Sequence, residues 1–406
     1  MIKKIGVIAL ALGLILAILS PGLVQAQGGL TVLNSSATAM FPYQLNFSLS
    51  ASSDVNITDI RLCYTVDRAG FAEVISEGYI EFTPDTSVEV SWSLSMVYVG
   101  GLPPGSTVEY WWKVEDASGD SIETAPSSIQ FNDVRYSWSS LTEGQVTIYW
   151  YQGDESFAQE LMAAAQQALV RLAEDTGAEL ERPVQLFIYA NSDDLRGAMI
   201  YPQEWTGGVA YTRHGIMAIG ISDANTTWGK RAIAHELTHL VIHQMTLNPY
   251  NQLPTWLDEG LAMHAEGELE PGLASYLEMA VADDSLISVQ SLCSPFSAYA
   301  EEAYLSYAQS YSLVEFLIDT YGQVKMLELL NVFREGSGYA AALESVYGFD
   351  MDGLDGLWRD YIVERYQLTS ENGIPPVWIA VLVILATGLV VALGLVIRIL
   401  IRKQGR

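Results

Sequence analysis

His235-Glu236-Leu237-Thr238-His239, followed at a distance by Trp256-Leu257-Asp258-Glu259-Gly260-Leu261-Ala262, is the stretch that decides what this chain is built around. The sequence has 5 histidines, and four of them, His235, His239, His243 and His264, crowd into positions 235–264. At about 100° per residue, His239 and Glu236 lie about 40° and 100° from His235, whereas Ile233, Leu237, Leu240 and Val241 occupy the opposite arc. The spacing predicts a helix with one packing face and one face that presents two imidazoles a turn apart. Imidazoles separated by a rise of about 6 Å can meet at one tetrahedral Zn2+. A hydrolytic zinc site also needs a third protein ligand and one position left for water. His243 continues the same stripe but lies about 12 Å from His235 along the axis, too far to share the ion. It reads as a supporting or surface histidine, and His264 as a structural one. Beyond the helix breakers Pro249 and Pro254, a second helix offers three carboxylates, Asp258, Glu259 and Glu266.

Upstream of this region the pattern is different. From Leu30 to about Asn132, short runs alternate apolar and polar residues, as in Tyr43-Gln-Leu-Asn-Phe-Ser-Leu-Ser, Ile60-Arg-Leu-Cys-Tyr-Thr-Val and Val108-Glu-Tyr-Trp-Trp-Lys-Val. Turn-forming clusters such as Gly100-Gly101-Leu102-Pro103-Pro104-Gly105 separate them. Period-two runs broken about every ten residues predict a β-sandwich. After Asp133, Phe157, Leu161, Ala165, Leu169 and Leu172 recur at helical spacing, Val184–Ala190 reads as a buried strand, and helical periodicity dominates 228–367.

Composition narrows the function classes. The chain has 406 residues, 20 basic and 48 acidic, for a net charge of −28, and half of it is apolar. Residues 27–376 hold all 48 acids but only 14 of the cations. Such a surface repels phosphate backbones, so nucleic acid is excluded as a partner, and 11% aromatics exclude intrinsic disorder. Cys63 and Cys293 belong to no CxxC pair, which argues against a thiolate metal site and leaves their pairing open.

Both ends read as membrane signals. Lys3 and Lys4 precede an apolar run, a Pro21-Gly22 break and Val24-Gln25-Ala26, the pattern of a cleaved signal peptide over 1–26. Val377–Ile397 is an uncharged run of 21 residues followed by Arg398, Arg402, Lys403 and Arg406, which predicts a single transmembrane helix in the lipid bilayer with a cytoplasmic tail over 398–406. Residues 370–376 form a linker, and the large middle of the chain is expected outside the cell membrane.

HELTH, 19 intervening residues and the glutamate of WLDEGLA resemble the gluzincin metallopeptidases, specifically the membrane-anchored peptidase MA-like proteins of prokaryotes. The resemblance covers about 134–367. It implies one Zn2+ held by His235, His239 and Glu259, with Glu236 as general base and a peptide or protein as substrate. It further implies that Gly207, Gly208, Val209, Ala210 and Tyr211 form the edge strand on the substrate side. A transition-state tyrosine comes from the stretch containing Tyr304, Tyr307 and Tyr311, and Tyr307 is chosen. Two departures stand out. Gly197-Ala198-Met199 runs into Ile200-Tyr201 without the acid that aminopeptidases use for a free amine, which points to an endopeptidase. Met263 stands where thermolysin-like enzymes place an acidic orienter, and Asp258 is the substitute. The expected fold class is thus multidomain α+β: an immunoglobulin- or fibronectin III-like β-sandwich over 27–133, a thermolysin-like, mostly helical gluzincin domain over 134–369, and a C-terminal transmembrane helix. The competing reading is a noncatalytic surface-binding protein with a structural or vestigial metal site. A retained Glu236 argues against it, since structural zinc needs no base.

Overall fold

Residues 29–372, apart from Trp205 and Ala298, are described by a computed structural model. They divide into two units, one comprising 29–67, 73–99 and 106–132, the other 68–72, 100–105 and 133–372.

In the first unit, alternation writes the sheet. Strands β1 (Thr31–Met40), β2 (Gln44–Val66), β3 (Ser76–Tyr79), β4 (Asp85–Ser95), β5 (Ser106–Asp116), β6 (Ser121–Glu123) and β7 (Ser127–Phe131) are joined by hydrogen bonds, with one helical turn, α1 (Met96–Val99), after β4. Leu45, Phe47, Leu49 and Ala51 alternate inward along the first half of β2, and Ile60 and Leu62 along its second half. The first half pairs β1 and β4 and the second half pairs β3 and β5, with a register break between Ser52 and Ile57. The hydrogen bonding therefore runs through all seven strands by way of β2, whose two halves serve different partners. Both cysteines are free thiols, Cys63 buried in β2 and Cys293 half-buried.

The second unit opens with five strands, β8 (Ser139–Glu143), β9 (Val146–Trp150), β10 (Val184–Tyr189), β11 (Gly208–Tyr211) and β12 (Ile216–Gly220), in the order β11-β12-β10-β9-β8. The inner strands β9, β10 and β12 are parallel, and the edge strands β8 and β11 run antiparallel to their neighbours. Between and after them come the helices α2 (Glu155–Thr176), α3 (Ser192–Arg196), α4 (Thr226–Met245), α5 (Thr255–Ala265), α6 (Pro271–Ala282), α7 (Ala300–Arg334), α8 (Tyr339–Tyr347) and α9 (Met351–Asn372). Helix α2 begins where Asp154 accepts the Phe157 N–H and ends at left-handed Gly177.

Helix α4 belongs to two cores. Ile233, Leu237 and Leu240 pack with α2 and the sheet, whereas Val241, Ile242 and Met245 join Trp256, Leu257 and Leu261 of α5 and the apolar residues of α7. This double anchorage fixes the rotation of α4, and with it the direction in which its polar stripe points. Helix α5 is held as firmly by a different device. A Cβ on Gly260 would stand 2.4 Å from the Ser310 carbonyl oxygen of α7 and 2.7 Å from the Val314 side chain.

The expected C-terminal transmembrane helix calls for a correction. Among the described residues no helix is long and apolar enough to cross a membrane. The physical reason is charge: the longest, α7, carries Glu301, Glu302, Glu315, Asp319, Lys325, Glu328 and Arg334, and its backbone breaks at Gly322. The segment read as the span, Val377–Ile397, and the leader over 1–26 both lie outside the described residues.

Because Gly260 has no room for a methyl group, Gly260→Ala should lower unfolding stability by about 1–3 kcal/mol. Chemical denaturation of the two proteins side by side measures this; equal midpoints would refute the tight α5–α7 contact.

Candidate metal centre

The polar stripe of α4 meets the first turns of α5. His235 Nε2 and His239 Nε2 stand 3.3 Å apart, and Glu259 Oε2 lies 3.5 Å from the first and 3.7 Å from the second. Four bonds of about 2.0–2.1 Å arranged tetrahedrally separate their donor atoms by about 3.3–3.4 Å. The triangle is of that size, so the residues present fit a zinc ion with one further position to spare.

Each imidazole is turned by a carboxylate on its other nitrogen. His235 Nδ1 donates to Glu266 Oε1 at 2.8 Å, and Arg231 backs Glu266 at 3.1 Å. His239 Nδ1 donates to Asp258 Oδ1 at 2.9 Å, and the other oxygen of Asp258 meets His243 Nε2 at 2.9 Å. These bonds fix the tautomer that leaves both Nε2 lone pairs facing inward. His239, His243 and Asp258 also cluster closely enough to suggest a second ligand group, but contacts of 2.9 Å are hydrogen-bond distances, shorter than the edge of a zinc tetrahedron.

The same pairs set the charge states of the metal-free protein. Burial works to lower both imidazole pKa values, but the contacts with Glu259 and Glu266 raise that of His235 well above the ordinary value. Asp258, first by its charge and then by its hydrogen bond, overcomes burial at His239 and raises it to about 9. Burial would raise Asp258, yet His239 and His243 hold it well below the usual carboxylate range. Glu236 goes the other way: burial raises its pKa against the pull of both histidines.

Glu236 faces β11. A Cβ on Gly208 would fall 2.7 Å from Glu236 Oε1, and one on Gly207 would fall 3.3 Å from the Trp228 ring. Only glycine at 208 leaves the carboxylate its place against the strand. Gly208, Val209, Ala210 and Tyr211 form the edge strand, while Gly207 precedes it and accepts the Gly220 N–H at 2.9 Å. Burial lifts the Tyr211 phenol to about 12.

The three tyrosines of α7 separate clearly. Tyr304 packs on Tyr276, and Tyr311 reaches Glu315 and lies beside His264. Tyr307 packs edge-on against Phe296. Burial, followed by the negative charges of Glu259 and Glu236, raises its pKa, which keeps the phenol protonated at neutral pH. His264 itself faces Asp175 at 3.5 Å, away from the cluster.

Sequence reading missed one partner. Glu266 entered it as a competitor for the ligand position, but the structure turns it to His235. Its spacing seven residues after Glu259, two turns along α5 on the same face, was the available signal.

Several known proteins are similar to this chain. A crystal structure of wild-type OgpA from Akkermansia muciniphila shares 10% identity over 26% of this chain and 28% of that one, with a TM-score of 0.21; the chain thus spans well under two thirds of that relative. The M1 zinc metallopeptidase of Deinococcus radiodurans shares 12% identity over 82% of this chain and 94% of its own, with a TM-score of 0.34. Legionella pneumophila aminopeptidase A, in complex with aspartic acid, shares 11% over 82% of this chain and 50% of its own, with a TM-score of 0.36. No curated protein matches. The pattern of the Peptidase MA superfamily matches residues 164–364. That segment, which contains His235, His239 and Glu259 together, belongs to the Peptidase MA superfamily.

Proposed function

We propose that the protein is a zinc-dependent endopeptidase in which His235, His239 and Glu259 hold a single Zn2+ and Glu236 is the general base. The observation that carries the proposal is the triangle of ligand atoms at 3.3, 3.5 and 3.7 Å, with Glu236 beside it. When bound, the ion supplies Lewis-acid chemistry: it acidifies water and polarises a carbonyl.

The chain's own residues do the rest. An extended peptide pairs by main-chain hydrogen bonds with the outer edge of β11, which has a strand on one side only. This places its backbone against Gly208 and Glu236. Glu236 takes a proton from the attacking water, for which a raised pKa suits it. Tyr307, protonated and within electrostatic reach of Glu236 and Glu259, donates to the developing oxyanion. Glu236 then returns the proton to the departing amine nitrogen. The stretch Gly197-Ala198-Met199-Ile200-Tyr201 brings no acid for a free terminal amine, which supports cleavage within a chain. The leader read in residues 1–26 supports action outside the cytoplasm.

Glu236→Gln should keep one zinc per chain while peptide hydrolysis falls by about 10^3-fold; elemental analysis and a peptide-library digest test both halves, and undiminished turnover removes Glu236 as base. Glu266→Gln keeps the shape but weakens the grip on His235, so zinc affinity should drop by about tenfold or more. Competition with a chelator measures that drop, and an unchanged constant would show that Glu266 does not orient the ligand. Protons on the raised imidazoles must leave before the metal binds, so apparent zinc affinity should climb with pH by at least about tenfold per unit between pH 6 and 8. A flat profile over pH 6–8 in the same competition assay refutes the assigned charge states.

A further inference from the structure

Arginines without acidic partners are unexpected in a chain of net charge −28. Of the 14 Lys and Arg residues among those described, ten pair with described acids, whereas Arg68, Arg171, Arg182 and Arg213 do not. Two of these four line one small cleft of the second unit, which also exposes His243 and has room of about 100 Å³. Two acids close to the cleft's residues are occupied elsewhere: Glu181, next to Arg182 in the chain, binds Arg334, and Asp258, against His243, binds His239 and His243. The NH2 groups of two asparagines in the cleft are committed as well. The Asn248 amide donates to Thr246 and Phe333 carbonyls, and the Asn251 amide donates to those of Gly336 and Ser337. The guanidinium groups of Arg182 and Arg213 are therefore the cleft's cations without an acidic partner among the described residues, and both are exposed.

Their position along the chain gives the cleft a relation to the metal centre. Arg213 lies in the turn Thr212–His214 that directly continues β11, and the opposite end of that strand, Gly208, lies against Glu236. Four residue steps of about 3.3 Å separate Gly208 from Thr212, or about 13 Å, the length of about four residues of an extended peptide. A peptide laid along β11 with its scissile bond at Glu236 reaches the arginines about four residues away.

We propose that this cleft is a specificity subsite that binds a carboxylate of the substrate through Arg182 and Arg213, about four residues from the cleaved bond toward the Tyr211 end. The proposal rests on the peptidase reading and names the substrate class for it: peptides bearing an acid at that distance. Guanidinium suits the task because its fork matches a carboxylate. The strongly acidic net charge disfavours such a group over most of the surface, so the pair selects where the acid sits.

The test uses the full chain loaded with zinc and a mixed peptide library, with cleaved bonds read by mass spectrometry, in the native protein and in R182Q/R213Q. The expected result is about a fivefold enrichment of Asp and Glu three to five residues from the cut on one side, diminished by salt and lost in the double variant, while peptides without acids are cut equally by both. Identical profiles in the two proteins, or no acidic enrichment, overturn the subsite. A library with amidated C-termini distinguishes the carboxylate's source: surviving enrichment assigns it to side chains, and enrichment only with free termini assigns it to the chain end. A second arm retains the same library on immobilised Glu236→Gln protein with and without the two Arg→Gln changes. Charge-dependent retention there supports the subsite even if the native protein cuts nothing, an outcome that removes only the peptidase reading; retention without charge bias overturns the subsite whatever the turnover.

Discussion

The centre depends on hydrogen bonds made at the back of two imidazoles. A histidine has two nitrogens and can offer either, so a pair one turn apart does not by itself define a ligand set. Glu266 and Asp258 each accept an Nδ1–H, and both Nε2 atoms are thereby committed to the space beside Glu259. All three carboxylates come from the one stretch of α5 and its end, so a single crossing of α4 and α5 supplies ligand, orienters and geometry together. The shared apolar packing of Val241 and Ile242 with Trp256, Leu257 and Leu261 holds that crossing.

Clearance matters as much as contact. Gly208 admits Glu236 against the edge strand, and Gly260 brings α5 onto the backbone of α7. The second approach also decides which tyrosine can serve. With Gly260 seated on Ser310, the helical turn containing Tyr307 is brought toward Glu259, whereas Tyr304 and Tyr311 are engaged by Tyr276 and Glu315.

Much of this was legible in the residues. The five-residue motif of histidine and glutamate on an amphipathic helix marked α4 and its polar stripe, and the switch from period two to period 3.6 near Asp133 marked where the sheet-rich unit gives way. Three things were not legible. Periodicity does not report that a single strand can change partners midway, so the part β2 plays as shared template for four other strands was not foreseen. The role of Glu266 depends on the angle between α4 and α5, which arises from long-range packing. Arg182 and Arg213, 31 positions apart in the chain, line one cleft because the strands that follow them, β10 and β12, lie side by side in the sheet. Apolar length in the sequence likewise promised a membrane-crossing helix that the described residues do not contain.

The length of β2 has a consequence for how the first unit assembles. Strands β1, β3, β4 and β5 all use β2 as their template, and the pairing of Ile57 with Asp116 closes a long loop before it returns any stabilisation. Chain-closure entropy therefore weighs on the nucleation step. The local hairpin of β1 with β2 is the inexpensive beginning, and residues 85–116 can dock only once that ribbon exists. During synthesis β2 gains its full set of partners late, after β5 has emerged.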